Sequence, residues 1–256
     1  MKKYSVLMIL AFLAIFSSCN KDNDNKSNPV LSVKLTDAPA DYDAVNVEVL
    51  HLEANLGAGW VEFPVEVPGV YNLLEFTNGN TLLLIGDTSL LPGTMTELRL
   101  VLGTENSVVL DGISYDLQTP SGQTSGYKVK MDPQVLEPDG LYRLVLDFDV
   151  NESIHLTGNG KFMLKPVVRG YLETAVGGIT GNILPLASAY YVEATNATDT
   201  AGTFIDPLDG TFLIGTVMPG TYNVKFMANP PFADKTISGI AVVAGQVTQM
   251  GTITME

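Results

Sequence analysis

The 256-residue chain contains one cysteine, two histidines and one tryptophan, and it sets only 14 Lys and Arg against 28 Asp and Glu. Each scarcity removes a class of chemistry. One cysteine excludes an internal disulfide and every multi-cysteine zinc or iron–sulfur site. Two histidines leave little room for a histidine-rich metal centre. The formal charge of −14 argues against nucleic acid as a partner, because a phosphate-binding face needs clustered Lys and Arg. Charged residues make up 16% of the chain, below the roughly 25% of an ordinary soluble domain. Glycine (24), proline (14) and hydrophobic residues (46%) are plentiful instead. At roughly 100–200 residues per domain, the length suits one large or two small domains with ample core.

The N-terminus carries an address. Lys2 and Lys3 form a short positive region, and residues 6–16 follow without a charge. That run of about 11 residues is too short for the ~20 of a bilayer-spanning helix. It ends in Phe16-Ser17-Ser18-Cys19, which resembles the lipobox of bacterial lipoproteins, although Phe16 stands where that family more often has leucine. The resemblance implies that residues 1–18 are a signal peptide, and that Cys19 becomes the first mature residue and carries the lipid that anchors the chain to the membrane. Removing residues 1–18 takes two lysines and no acid, which leaves 12 basic and 28 acidic residues and a charge of −16. Residues 19–29 then read as a lipidated polar tether, with no apolar side chain whose burial would offset the ordering entropy. Within it, Lys21-Asp22-Asn23-Asp24 resembles the acidic export signal of surface-exposed lipoproteins in Gram-negative bacteria. This implies an outer-membrane lipoprotein facing the cell exterior, with a periplasm-facing anchor as the alternative.

Beyond residue 29 no window holds a 3.6-residue apolar period. Two-residue alternation, broken by Gly, Pro, Asn and Asp, predicts an all-β chain. Val45-Asn46-Val47-Glu48-Val49, Leu98-Arg99-Leu100-Val101-Leu102 and Leu144-Val145-Leu146-Asp147-Phe148-Asp149-Val150 read as strands, and Val129 and Met131 alternate about Lys130. Turn chemistry recurs at Asn78-Gly79, Asp111-Gly112, Pro120-Ser121-Gly122, Asp139-Gly140 and Asp209-Gly210. One helical turn is predicted at residues 71–76. A strand over 162–172 ends near Ala175-Val176-Gly177-Gly178, which divides the body into 30–174 and 175–256. The second part carries predicted strands at 179–183, 187–195, 211–217, 221–227, 236–243 and 247–254. Short strands at such spacing suggest sandwiches or partly open barrels, and the resemblances given next imply two tandem β-sandwiches, Ig-like or transthyretin-like, as the fold class.

Two further resemblances attach to these parts. Residues 31–172 resemble a family of bacterial and archaeal β-sandwich lipoproteins of unknown function. The resemblance is carried by Leu35-Thr36-Asp37-Ala38-Pro39-Ala40-Asp41-Tyr42-Asp43-Ala44-Val45, Tyr71-Asn72-Leu73-Leu74-Glu75, Leu146-Asp147-Phe148-Asp149-Val150 with Ser153-Ile154, and Leu164-Lys165-Pro166-Val167-Val168-Arg169. Met95 stands where that pattern commonly has an aromatic. Such a family implies no catalytic residue. Residues 177–256, through Gly178-Ile179-Thr180-Gly181-Asn182-Ile183, Asp209-Gly210-Thr211-Phe212 and Met218-Pro219-Gly220-Thr221-Tyr222, resemble the carboxypeptidase-regulatory-like, transthyretin-like sandwich. Related folds bind starch, so carbohydrate is implied only by analogy of fold.

The densest acidic cluster is Asp147, Asp149, Asn151 and Glu152. Its Asp-x-Asp-x-Asn pattern is that of an opening calcium loop, but Glu152 stands where the loop needs glycine and Gly158 where it needs the bidentate Glu. On a strand, Asp147 and Asp149 would share the solvent face while Leu146, Phe148 and Val150 point inward. Calcium is the one candidate cofactor. Asp37, Asp41 and Asp43 read as turn caps, or as a second acidic shelf if the fold brings them to the first. His51 and His155 read as structural. Arg99 and Arg169 lie in apolar strands and need carboxylates, with Asp147 or Glu97 as partners. Trp60 is either the plug of the first sandwich or a sugar-stacking ring. Tyr190 and Tyr191 are consecutive, so one must leave the core; that ring is the second stacking candidate. Gly-x-Ser-x-Gly, His-Glu-x-x-His and a phosphate loop are absent. The chain is expected to be a non-catalytic envelope module for binding or adhesion, with glycan or an envelope protein as partner. The alternatives are a scaffold subunit and, more distantly, a hydrolase.

Overall fold

The computed structural model describes residues 27–119 and 125–256. Cys19, the segment 1–18, most of the tether and the Pro120-Ser121-Gly122 turn lie outside the described residues. The last residues assigned to the tether already belong to the fold: Ser27 N–H donates to Asp139 Oδ1 (2.7 Å), and Pro29 O accepts from Leu90 N–H.

The expected all-β fold is what forms. The first strand set opens with β1 (Val30–Asp37), β2 (Ala44–Asn55), β3 (Trp60–Asn72), β4 (Leu82–Ser89), β5 (Gly93–Met95), β6 (Glu97–Leu102) and β7 (Ser107–Leu110). It continues with β8 (Ile113–Gln118), β9 (Tyr127–Lys128), β10 (Gln134–Leu136), β11 (Leu141–Phe148), β12 (Ile154–Leu156), β13 (Phe162–Leu164) and β14 (Val168–Leu172). The second holds β15 (Gly177–Leu184), β16 (Ala189–Thr195), β17 (Thr200–Phe204), β18 (Thr211–Val217), β19 (Gly220–Ala228), β20 (Lys235–Val242) and β21 (Val247–Thr254). Among the described residues no strand pair joins the two sets.

In the first set a four-stranded sheet, β14-β11-β1-β4, faces an eight-stranded one in which β2 pairs with β3, β6 and β7. Two-residue alternation explains the facing: Val45, Val47, Val49, Leu52 and Ala54 of β2 are fully buried against Leu31, Leu35, Leu144 and Phe148 of the opposite sheet. At roughly 1.5–3 kcal/mol per buried aliphatic side chain, this core dominates the stability of the set. In the second set, β18-β15-β21 faces β17-β16-β19-β20, and Phe212 meets Phe226 across the layers edge to face at 5.7 Å.

The turn chemistry holds at Asn78-Gly79 and Asp111-Gly112, where both residues take positive φ (53° and 82°, 52° and 73°). The predicted helical turn is a 3-10 turn at Leu73–Phe76. Three sequence expectations are corrected. The strand over 162–172 is broken by Lys165-Pro166-Val167 into β13 and β14, which belong to different sheets, because proline cannot donate to a ladder. The strand through Val150 stops at Phe148, where Asp149 caps a short helix α1 (Val150–Ser153) by accepting from Glu152 N–H. Finally, β17 was not expected, since Thr200-Ala201-Gly202-Thr203 has almost no apolar signal.

Candidate functional site

The site grows from one parallel pairing. β1 lies beside β11 with Thr36 opposite Asp147 and Asp37 opposite Phe148. The ends of these strands therefore bring Asp37 to Asp147 and Asp149, across more than 100 residues of sequence. Of the second acidic shelf only Asp37 joins the first; Asp43 acts as the expected turn cap, its Oδ2 accepting from Gly112 N–H at 2.8 Å. β14 lies on the other flank of β11 with Arg169 opposite Asp147. Arg169 Nη2 reaches Asp147 Oδ2 at 3.2 Å and Asp149 Oδ2 at 3.4 Å. Arg99 has its carboxylate too, with Glu97 at 2.7 Å.

The solvated-face expectation for Asp147 is overturned. Asp147 is buried at 8% exposure and Asp37 at 6%, because the second strand set stands over this edge. Asn78 Oδ1 accepts from Leu213 N–H at 2.6 Å, joining the sets. Gly79, at φ 82°, leaves room for Leu213: a Cβ there would lie 2.3 Å from its Cδ2. Burial pushes the Asp147 carboxyl up to about 6, against the opposing pull of Arg169. Asp37 is also held well above the usual carboxylate range. Burial is the main cause, opposed by the Val150 N–H that donates to its Oδ1 at 3.2 Å and reinforced by Asp147 and Asp149.

Between the sets lies a cleft of about 360 Å³, within the range of small-ligand sites. One wall carries Asp37, Asp147, Asp149, Asn151, Glu152, Arg169 and Tyr171; the other carries Tyr191, Glu193, Asp199 and the strand β17 through Thr203. Asp199 is fixed by the Tyr222 hydroxyl, which lies 2.7 Å from its Oδ2 and 2.9 Å from Met218 O. Three buried polar atoms of cleft residues have no hydrogen-bond partner among the described residues: Asp37 Oδ2, Arg169 Nε and Thr203 Oγ1. Thr203 stands opposite the buried Val192 in the β16–β17 ladder, so its hydroxyl turns into the second core, while Asp37 and Arg169 belong to the first wall.

The other predicted residues divide between this place and elsewhere. A register shift in β16 between Ala189 and Tyr191 keeps both tyrosines out of the core, with Ala189 and Val192 buried on either side. Tyr191 lies across Gly202, where a Cβ would sit 2.4 Å from its hydroxyl, and meets Phe204 edge to face at 5.2 Å. Tyr190 is 47% exposed. Tyr191 lines the cleft with Phe204 packed on it, whereas Tyr190, its hydroxyl near Met227, does not line it. Trp60 does not plug the core: it is 44% exposed, does not line the cleft, and has the Arg99 guanidinium 4.0 Å above its ring. Asn151 donates to Pro39 O at 2.7 Å and Asp149 is occupied as a cap. Among the described residues no three His, Cys, Asp or Glu side chains are placed to hold a metal ion. His51 stands 3.6 Å from Glu53 and 3.9 Å from Glu62; neither it nor His155 lines the cleft.

Residues 29–166 match the family described as Domain of unknown function (DUF4382). The chain belongs to this family. The match covers just over half of it, and places β1, β11 and the Asp37–Asp147 pairing inside the DUF4382 region while Arg169 and the second wall of the cleft lie beyond. No curated protein matches this DUF4382 chain. Solved structures similar to it include a type II Cohesin-X-Dockerin complex from Acetivibrio cellulolyticus, with a TM-score of 0.25 and 22% identity over 31% of this chain and 56% of that one. The Bacillus anthracis TIE protein has a TM-score of 0.22 and 8% identity over 90% of this chain and 34% of its own. A fimbrial protein from Bacteroides ovatus has a TM-score of 0.23 and 8% identity over 90% and 50%. This chain therefore spans between a third and just over half of those three lengths, and TM-scores this low do not amount to a shared fold.

Proposed function

We propose that the protein is a non-catalytic, surface-exposed lipoprotein of the outer membrane, anchored through Cys19, that binds carbohydrate in the cleft between two tandem sandwiches. The observation that carries the reading is the cleft of about 360 Å³ that sets the carboxylates and the Arg169 guanidinium of one wall against the Tyr191 ring and Asp199 of the other. Sugar hydroxyls both donate and accept, which suits a cleft whose walls hold carboxylates and a guanidinium. The Tyr191 ring, backed edge to face by Phe204, offers an apolar plane on which a pyranose stacks. The strongly acidic mature chain repels anionic lipid surfaces and keeps an exposed module soluble.

A glycan array probed with the full-length chain in detergent tests the reading. Selective retention of a glycan class, without release of reducing ends, is the expected result. A blank array from a folded chain would sink the carbohydrate reading and leave a scaffold role, and release of reducing ends would replace binding by hydrolysis.

A further inference from the structure

We propose that the open seam between β3 and β4 docks an extended segment of a protein partner, which adds itself as a strand and alternates apolar with basic residues. The site is separate from the cleft and does not rest on the carbohydrate reading. Among the described residues β3 pairs only with β2, and β4 ends its sheet with β1 as its one neighbour. Both strands therefore present a free edge at the same seam. Such edges are commonly guarded by a bulge or a proline, and one part of the seam is. Residues 65–68 leave the β2 ladder between the Val49–Gly69 and His51–Pro64 pairs, and Glu66 Oε1 there accepts from Gly86 N–H at 2.8 Å. Beyond that closure lies a groove of about 520 Å³, with residues 61–66 on one bank and Ile85, Thr88, Ser89 and Leu90 on the other.

The phase of the ladders sets what the groove offers. Along an antiparallel pair, residues alternate between bonding their partner and facing away from it. Leu56 N–H donates to Gly59 O at the head of the β2–β3 hairpin, so Val61 and Phe63 bond β2 while the N–H and C=O of Trp60 and Glu62 point outward. Pro64 falls on the outward phase as well, where its missing N–H costs no ladder bond. On the other bank Leu90 N–H donates to Pro29 O, which turns the N–H and C=O of Ser89 to the groove. An added strand pairs with these free groups. The side chains dictate its pattern. Val61 shares the inward face of β3 with the buried Phe63 and lies opposite the buried Ala54, yet it is 39% exposed; an apolar residue beside it completes that face. On the outer face Glu62 lies directly opposite Glu53, a like-charged pair that costs stability. Arg99, across from Glu53 on β6, is engaged by Glu97 at 2.7 Å, and His51 stands 3.9 Å from Glu62. No lysine or arginine lines the groove, so the basic residue that relieves Glu62 has to come with the added strand.

The test titrates the full-length chain in detergent with short fluorescent peptides: lysine and valine in alternation, the same residues in two blocks, and glutamate and valine in alternation. The alternating lysine–valine peptide should bind about tenfold tighter than either control and weaken with salt. It should also slow hydrogen–deuterium exchange over residues 60–64 and leave the cleft residues unchanged. Glu62→Gln should remove most of the preference over the glutamate peptide with an unchanged melting temperature. Glu62→Pro, which deletes one outward N–H as Pro64 already does, should fold and lose about tenfold in affinity; a chain that fails to fold would contradict the outward phase. Equal binding of alternating and blocked lysine–valine overturns strand addition in favour of charge alone. Protection at the cleft instead of residues 60–64 overturns the site. Absence of binding by all three peptides, in a chain that melts cooperatively, overturns the docking groove, and a concentration-dependent dimer abolished by Glu62→Gln would replace the partner by a second copy of this chain.

Discussion

Replacing Asp147 by Asn should make stability fall less, relative to the wild type, as pH rises between about 4 and 6. Asp147 is 8% exposed, and its carboxyl is raised from 3.8 to about 6. A raised pKa means that the folded chain holds this proton more tightly than the unfolded chain does. The stabilising contribution is therefore fully present below about pH 4 and is lost as pH rises through about 6. The difference of about two pH units, at 1.36 kcal/mol each, is worth about 3 kcal/mol. For a cooperative unit of this size that is roughly 6–12 °C in melting temperature. Asn keeps the volume and an acceptor for Arg169 but cannot titrate. Melting followed by circular dichroism between about pH 4 and pH 7 should show the wild type losing that margin relative to the variant. Distant carboxylates, such as Glu97 with its pKa lowered beside Lys128 and Arg99, act equally in both chains and cancel in the difference, whereas Asp37 loses the upward push of Asp147 in the variant, which acts in the same direction. Parallel curves, or a wild type that gains on the variant as pH rises, would refute the buried, repelled carboxylate.

Other substitutions probe the remaining supports. Tyr222→Phe removes the hydroxyl that meets Asp199 and Met218 O and should cost about 1–3 kcal/mol in urea unfolding; an unchanged midpoint would mean that Asp199 is held otherwise. Gly79→Ala puts a Cβ 2.3 Å from Leu213 at a φ of 82° and should cost more than about 1 kcal/mol, or else the turn is not clamped on β18. Trp60→Ala should cost only about 0.5–1 kcal/mol, the worth of an exposed contact with Arg99. A loss of more than about 3 kcal/mol would return it to the role of core plug. Cys19→Ser should move the mature protein from the detergent to the aqueous phase in phase partitioning; retention in detergent would contradict a lipid on that residue.

What could be read from the chain was whatever depends on near neighbours. Alternation along Val45-Asn46-Val47-Glu48-Val49 and the Asn78-Gly79 and Asp111-Gly112 turns announce strands and hairpins without any tertiary context. Arg99 and Arg169 announced their carboxylates because a guanidinium within an apolar strand needs one nearby. The site was less legible because it is made by long-range pairing. Thr36 and Asp147 share a rung of a parallel ladder, and no local pattern encodes which strand will lie beside which. The face of Asp147 was misread for the same reason: period-two reasoning gives one side of a sheet to solvent, and a second strand set covers it here. β17 was missed because its residues are small, yet that smallness is what lets Tyr191 lie flat over Gly202. Two consecutive tyrosines out of the core require a bulge, which alternation alone does not foresee.

The most direct test of a carbohydrate site in the cleft is a comparison of glycan retention by Tyr191→Ala and Trp60→Ala, each read against the wild type on the same array. The two rings stand on different strand sets, and only Tyr191 lines the cleft. Loss of retention in Tyr191→Ala with retention intact in Trp60→Ala is the expected result. Loss in Trp60→Ala with Tyr191→Ala unaffected would contradict the cleft and move the binding surface to the exposed edge of the first sheet pair.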